Sequence, residues 1–92
     1  MFSVSVIAEQ SGSVTLGIGG SVKSEMLPDL DRFIAAEQKH RRVLLDLSEV
    51  TLLDQEAARF FGDKLRRGVE LINCPRYIRH WISPQIAYES ES

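Results

Sequence analysis

The sequence has little of what reactive chemistry draws on. Its 92 residues include one cysteine, Cys74, and two histidines, His40 and His80. A lone cysteine excludes an intramolecular disulfide and reads as a small buried hydrophobe. Zinc needs three or four ligands at recognisable spacing, and the sequence has no such cluster of Cys and His. Cys74 and His80 are six positions apart across a short helix, which sets them on different faces and separates thiol from imidazole. Neither a nucleophile with its base nor a pair of carboxylates poised over a cleft can be picked out. The chain is expected to be no enzyme, and to need no metal and no cofactor.

Positive charge is also scarce. Eleven Lys and Arg stand against thirteen Asp and Glu, a formal net charge of −2, without the basic footprint that phosphate neutralisation requires. Nucleic acid is not an expected partner. Unbroken apolar runs reach only a few residues, well short of the roughly 20 that cross a bilayer, so direct membrane insertion is not expected. Met1 is followed by no basic stretch and no long apolar stretch of the secretory kind, which with the single thiol points to the cytoplasm.

What is present is the composition of a folded domain: 43% hydrophobic and 26% charged residues, enough for one core and too short for two. From Phe2 to Ala8 the chain alternates Phe2, Val4, Val6 and Ala8 with Ser3, Ser5 and Ile7, the period of a half-buried strand. Glu9, Gln10, Ser11 and Gly12 supply a turn. Ser13 to Gly19 then alternates again through Val14, Leu16 and Ile18, completing a hairpin. Gly17, Gly19 and Gly20 fit neither phosphate-binding glycine spacing and read as a bulge or a close backbone approach. Pro28 suits the first turn of a helix starting between Ser24 and Pro28, with Leu27, Leu30 and Ile34 on one stripe. Lys39, His40, Arg41 and Arg42 close that helix with cations in solvent.

Val43 to Leu47 is a nearly continuous apolar run, the pattern of a central strand covered on both faces. After a polar break at Ser48 and Glu49, Val50, Leu52 and Leu53 carry the chain across the core to a helix starting at Asp54. Ala57, Ala58, Phe61 and Leu65 form its apolar stripe and Gly68 its C-terminal cap. Val69 to Ile72 gives a fourth strand. Asn73 and Pro75 begin a last helix holding Ile78, Trp81 and Ile82, and Pro84 stops it. The order is β-β-α-β-α-β-α, an α/β fold with a mixed sheet of about four strands and helices packed on it. Residues 1–83 form the domain and 84–92 a polar, flexible tail.

One stretch stands above the rest. Asp46, Leu47, Ser48 and Val50 form a D-L-S-x-V strand end, and Asp54, Gln55, Glu56 and Ala57 open the next helix. This resembles the signature of the STAS domain, found in bacterial anti-sigma factor antagonists and in the cytoplasmic tails of sulphate transporters. With Gly20, Ser21 and Val22 matching the exit from the family's hairpin, the likeness runs from about Val14 to Ile82. It implies a regulatory module that docks to protein, such as an anti-sigma factor of the serine kinase type, through Asp54, Gln55, Glu56 and Ala57 with Asp46 and Ser48. In the family a phosphorylated Ser follows the Asp. Here Gln55 holds that position, Glu56 the place of the next hydroxyl residue and Ala57 that of a Gly. Gln55 cannot accept a phosphoryl group, so the phosphate switch, worth about −1.5 to −2 charges, is missing at its usual position.

Two readings of these acids stand side by side on the sequence. Asp54 and Glu56 at a helix start also cap open N–H groups and meet the positive end of the dipole without any partner. Asp46 at a strand end also suits local backbone hydrogen bonds. The family also includes accessory subunits of lipid-exporting membrane ATPases, and a sensor with a small ligand held against Ser48 to Leu53 is a third reading. The outer strand of the hairpin leaves an edge through which homo-oligomers could form.

Overall fold

The computed structural model describes residues 2–82; the expected stop at Pro84 and the tail 84–92 lie outside them. The elements are β1 (Phe2–Gln10), β2 (Ser13–Val22), a 3₁₀ turn (Ser24–Met26), α1 (Leu27–Gln38), β3 (Arg42–Leu53), α2 (Gln55–Arg66) and β4 (Glu70–Ile72), then α3, helical over 76–82. The four strands form one sheet in the order β1-β2-β3-β4. β1 and β2 pair antiparallel, as a tight hairpin around Gly12 (φ 98°) must, while β2 with β3 and β3 with β4 are parallel across their helical crossovers. The fold is α/β with a mixed four-stranded sheet and packed helices, as the patterning implies.

The core lies on one face of that sheet. Val14 pairs with Val43 and Leu16 with Leu45, and Leu45 with Leu71, so alternate residues of β2 and β3 meet Leu30 and Ile34 of α1, Ala57 and Phe61 of α2, and Ile78 and Ile82 of α3 in one buried cluster. Among the described residues no helix packs on the other face of β3. There Leu44 and Asp46 are only half-buried, which corrects the expectation of a strand covered on both faces.

β3 is also longer than its apolar run. The strand does not break at Ser48 and Glu49 but continues to Leu53. Its pairing slips twice against β2: Gly17 faces Asp46 while Gly19 faces Glu49, and Gly20 faces Val50 while Ser21 faces Leu52. Each slip inserts one extra residue, a bulge. The buried positions therefore change spacing from two to three, through Leu47, Val50 and Leu53, and a strict period of two cannot see them. Leu52 falls outside this series and is 43% exposed instead of crossing the core. The glycines of β2 make this possible, as their sequence reading held: a Cβ on Gly19 would sit 3.1 Å from Glu49 Cβ and 3.0 Å from Ser3 Oγ.

A bulge also alters β1. Its register shifts between Val6 and Ala8, so Ala8 faces Thr15 and not a core position of β2. Ile7 is exposed on the face of Ser3 and Ser5, where the alternation puts it, but Val6 is 46% exposed and Ala8 is exposed too, so the inward side of the strand is less buried than its alternation implies.

The helix ends follow local chemistry. After α2, Gly68 (φ 95°) accepts a left-handed conformation, with its N–H on Leu65 C=O (3.2 Å) and the Val69 N–H on Lys64 C=O (3.0 Å), the paired hydrogen bonds of a Schellman cap. The basic run after α1 stitches elements together as well as meeting solvent. Arg41 pairs with Glu37 of α1 and Glu9 of β1 at 2.9 and 2.8 Å, and Arg42 with Glu70 of β4. Lys64, buried on α2, pairs with Asp31 of α1 and lies 5.2 Å from the Phe60 ring centre.

Candidate functional site

The site begins where β3 hands the chain to α2. Leu53, 6% exposed, anchors the strand end, and the Asp54 N–H donates to Val22 C=O at 3.2 Å. Asp54 is the N-cap of α2 in extended backbone (φ −84°, ψ 175°). Its Oδ1 accepts the Ala57 N–H at 2.9 Å, and its Oδ2 accepts the Ser24 N–H at 2.8 Å. One carboxylate thus ties β3, α2 and the 3₁₀ turn together. An oxygen at this place meets an open helix N–H, and its charge faces the positive end of the helix. Both oxygens of Asp54 have structural partners.

Gln55 and Glu56 stand on the rigid turn that Asp54 makes, and both are exposed. The Glu56 carboxylate is 3.9 Å from Arg59, with its side chain 64% exposed, an ion pair that solvent screens almost fully. Ala57 is fully buried, so it belongs to the core and offers a visitor no atoms. Of the four residues at the helix start, two present side chains outward, one holds the turn and one roots it.

Asp46 and Ser48 lie apart from this turn, on the sheet face that carries no helix. Asp46 Oδ1 accepts the Ser48 N–H and Oδ2 accepts the Asn73 side-chain N–H, both at 2.9 Å. Burial pushes the Asp46 carboxyl up, but hydrogen bonds from Ser48 and Asn73 outweigh it and hold the pKa below the ordinary aspartate value. Asn73, in a left-handed conformation (φ 50°), gives its amide N–H to Asp46 and stands two residues before Pro75, whose C=O accepts the Arg79 N–H at 2.9 Å at the start of α3. The sign of the linkage follows: stability from Asp46 is complete above its unfolded pKa of about 3.9 and is lost as pH falls through the lower folded value. Carboxyl-carbon NMR titration is expected to place the Asp46 midpoint below that of an unperturbed aspartate, and Asn73→Ala to move it up. A wild-type midpoint at or above the ordinary value would contradict this geometry.

Asp46 and Ser48 line a shallow depression of about 170 Å³ together with Ser3, Ser5, Gly17 and Glu49. This is smaller than the roughly 300–1,000 Å³ of small-molecule pockets. A wider trough of about 400 Å³ runs between the 3₁₀ turn, α1 and α2, edged by Asp31, Glu56 and Asp63 over Leu27, Pro28 and Phe60. Among the described residues no group of three His, Cys, Asp or Glu could hold a metal ion, and no helix is long and apolar enough to cross a membrane. Burial raises the Cys74 thiol pKa, against a lowering by Arg79, so the thiolate that nucleophilic chemistry needs is disfavoured.

Sequence reasoning missed an exposed aromatic pair on α3. Tyr77 and Trp81 are 51% and 40% exposed, their rings packed edge to face with centres 6.2 Å apart. Trp81 is thus not held in the core beside Ile78 and Ile82. The Tyr77 hydroxyl donates to Val50 C=O at 3.2 Å, which fixes the aromatic pair against β3. The available signal was helical spacing: Ile78 and Ile82 are four apart and share a face, and so do Tyr77 and Trp81 one position earlier. No family model matches the chain, and no curated protein matches it.

Proposed function

We propose that the chain is a non-catalytic docking module of the anti-sigma factor antagonist type, a STAS domain that meets a protein partner in the cytoplasm through the first turn of α2. What carries the reading is the division of labour at that turn. Asp54 uses both carboxylate oxygens to hold it still, while Gln55 and Glu56 remain exposed. An exposed polar turn that is already held in place can meet a partner without the ordering cost of association. Because Gln55 has no hydroxyl, the module works in one state at this position, without a phosphate to expel its partner.

The test is co-purification from native cells with the wild-type chain and a Glu56→Lys variant. Among the described residues the one charged partner of Glu56 is Arg59, at 3.9 Å. A lysine there loses that pair and the favourable end of the helix dipole, together about 1 kcal/mol. The variant should therefore stay folded, melt no more than about 8 °C below wild type, and yet bind its partner at least about tenfold more weakly. Equal recovery of the partner by both chains would remove the α2 turn from the interface. Recovery of a membrane ATPase in place of a soluble regulator would move the chain to the accessory-subunit reading.

A further inference from the structure

We propose that β1 pairs antiparallel with β1 of a second copy of the chain, about a two-fold axis at Val4, joining two four-stranded sheets into one. The proposal is independent of the docking role of α2. β1 closes the sheet at one end of the strand order, so among the described residues one of its backbone edges has no partner strand. Such edges are ordinarily protected by Pro, by Lys or other charges, by brevity or by a bulge, and the bulge of β1 lies past Val6, outside Phe2 to Val6. β4, the opposite edge, is three residues long. β1 is nine, Phe2–Gln10, and has no Pro, Lys or Arg. Its one charge, Glu9, is already paired with Arg41 at 2.8 Å.

The sequence of the edge names the second copy as its occupant. Phe2-Ser3-Val4-Ser5-Val6 reads apolar, Ser, Val, Ser, apolar, the same pattern in both directions. An antiparallel pair centred on Val4 sets Val4 against Val4, Phe2 against Val6, and Ser3 against Ser5. The apolar pairs fall on the helix-covered face, because Val4 and Val6 sit opposite Ile18 and Leu16, so the two cores would continue into each other and cover Val6, now 46% exposed. The serines fall on the other face, where paired hydroxyls stabilise adjacent strands. The bulge after Val6 fixes the limit, since Phe2 to Val6 is the stretch in unbroken register with β2 and can extend the ladder regularly. The two Glu9 carboxylates would lie ten strand positions apart, roughly 30 Å at the usual rise, too far to repel.

A pairing this short makes a reversible dimer, so concentration is the lever. Sedimentation velocity from about 10 to about 500 µM should show the mass rising from 10.4 kDa toward twice that value. Amides of Phe2 to Val6 should exchange more slowly at the higher concentration. Ser3→Lys with Ser5→Lys places like charges opposite each other across the axis and should weaken self-association at least about tenfold. Both serines are exposed, and Val6→Lys serves as a second variant should the pair fail to fold. Three results would each overturn the proposal: a monomer throughout the range, a dimer that survives these substitutions, or a dimer whose β1 amides exchange at the monomer's rate.

Discussion

Replacing Phe61 by alanine is expected to lower the unfolding free energy by about 3–5 kcal/mol, the range for truncating a fully buried aromatic side chain. Phe61 has no exposed surface and is the largest of the fully buried side chains. It stands edge to face with Phe60, ring centres 5.4 Å apart at 76°, and joins α2 to the sheet. A domain of this size has roughly 5–15 kcal/mol of total stability, so the variant should melt at least about 12 °C lower, each kcal/mol being worth about 4–8 °C. Thermal denaturation followed by far-UV circular dichroism reads this directly. A loss of only a few degrees would mean that α2 is not seated on the core by this ring.

Asp54→Ala is expected to cost about 2 kcal/mol, roughly 1 for the lost N-cap and roughly 1 for the Ser24 N–H left without its acceptor, and so to lower the melting temperature by about 10 °C. Asp54→Asn separates the two contributions. Its amide oxygen can still accept from Ala57, but its NH₂ group cannot accept from Ser24, so it should fall between wild type and Asp54→Ala. Equal melting of all three chains would remove Asp54 as the clamp of the turn, and with it the argument that Gln55 and Glu56 are held in place. The expected result also restricts how docking is tested, because charge reversal at Asp54 would disturb the fold and any interface together. Glu56, exposed and weakly paired, is the position where the two effects come apart.

Much of this architecture was legible because local patterns agreed with the sheet they build. Val14, Leu16 and Ile18 alternate as a strand must, Leu30 and Ile34 share a helical stripe, and Gly68 stands where a left-handed cap is needed. What was not legible lay where tertiary pairing alters the local period. The two bulges in β3 change its buried spacing to three, so Ser48 and Glu49 looked like a break while the strand ran on to Leu53. The bulge in β1 moved Ala8 to the other face. Lys64 is a buried cation on α2, and its partners, Asp31 of α1 and the Phe60 ring, are contacts that the sequence pattern does not announce.

At the candidate site, sequence placed Asp54 at a helix start but left two uses for its carboxylate. The Ser24 N–H, thirty residues earlier, fills the second oxygen, and no local pattern announces a contact over that distance. Asp46 was read as either a docking residue or a strand end, and its bonds to Ser48 and Asn73 account for its conformation locally. Ala57 falls out of the docking surface because its position on the helix points into the core. Gln55 and Glu56 are left as the outward pair.

The most direct measurement of the docking claim is site-specific photo-cross-linking in native cells. A benzophenone side chain is introduced at Gln55 in one chain and at Arg32, exposed on α1, in another, and the adducts are identified by mass spectrometry. The expected result is one discrete protein adduct at Gln55 that disappears when Glu56→Lys is added and has no counterpart at Arg32. No adduct at Gln55, or the same adducts from both positions, would contradict the assignment of the α2 turn as the docking surface.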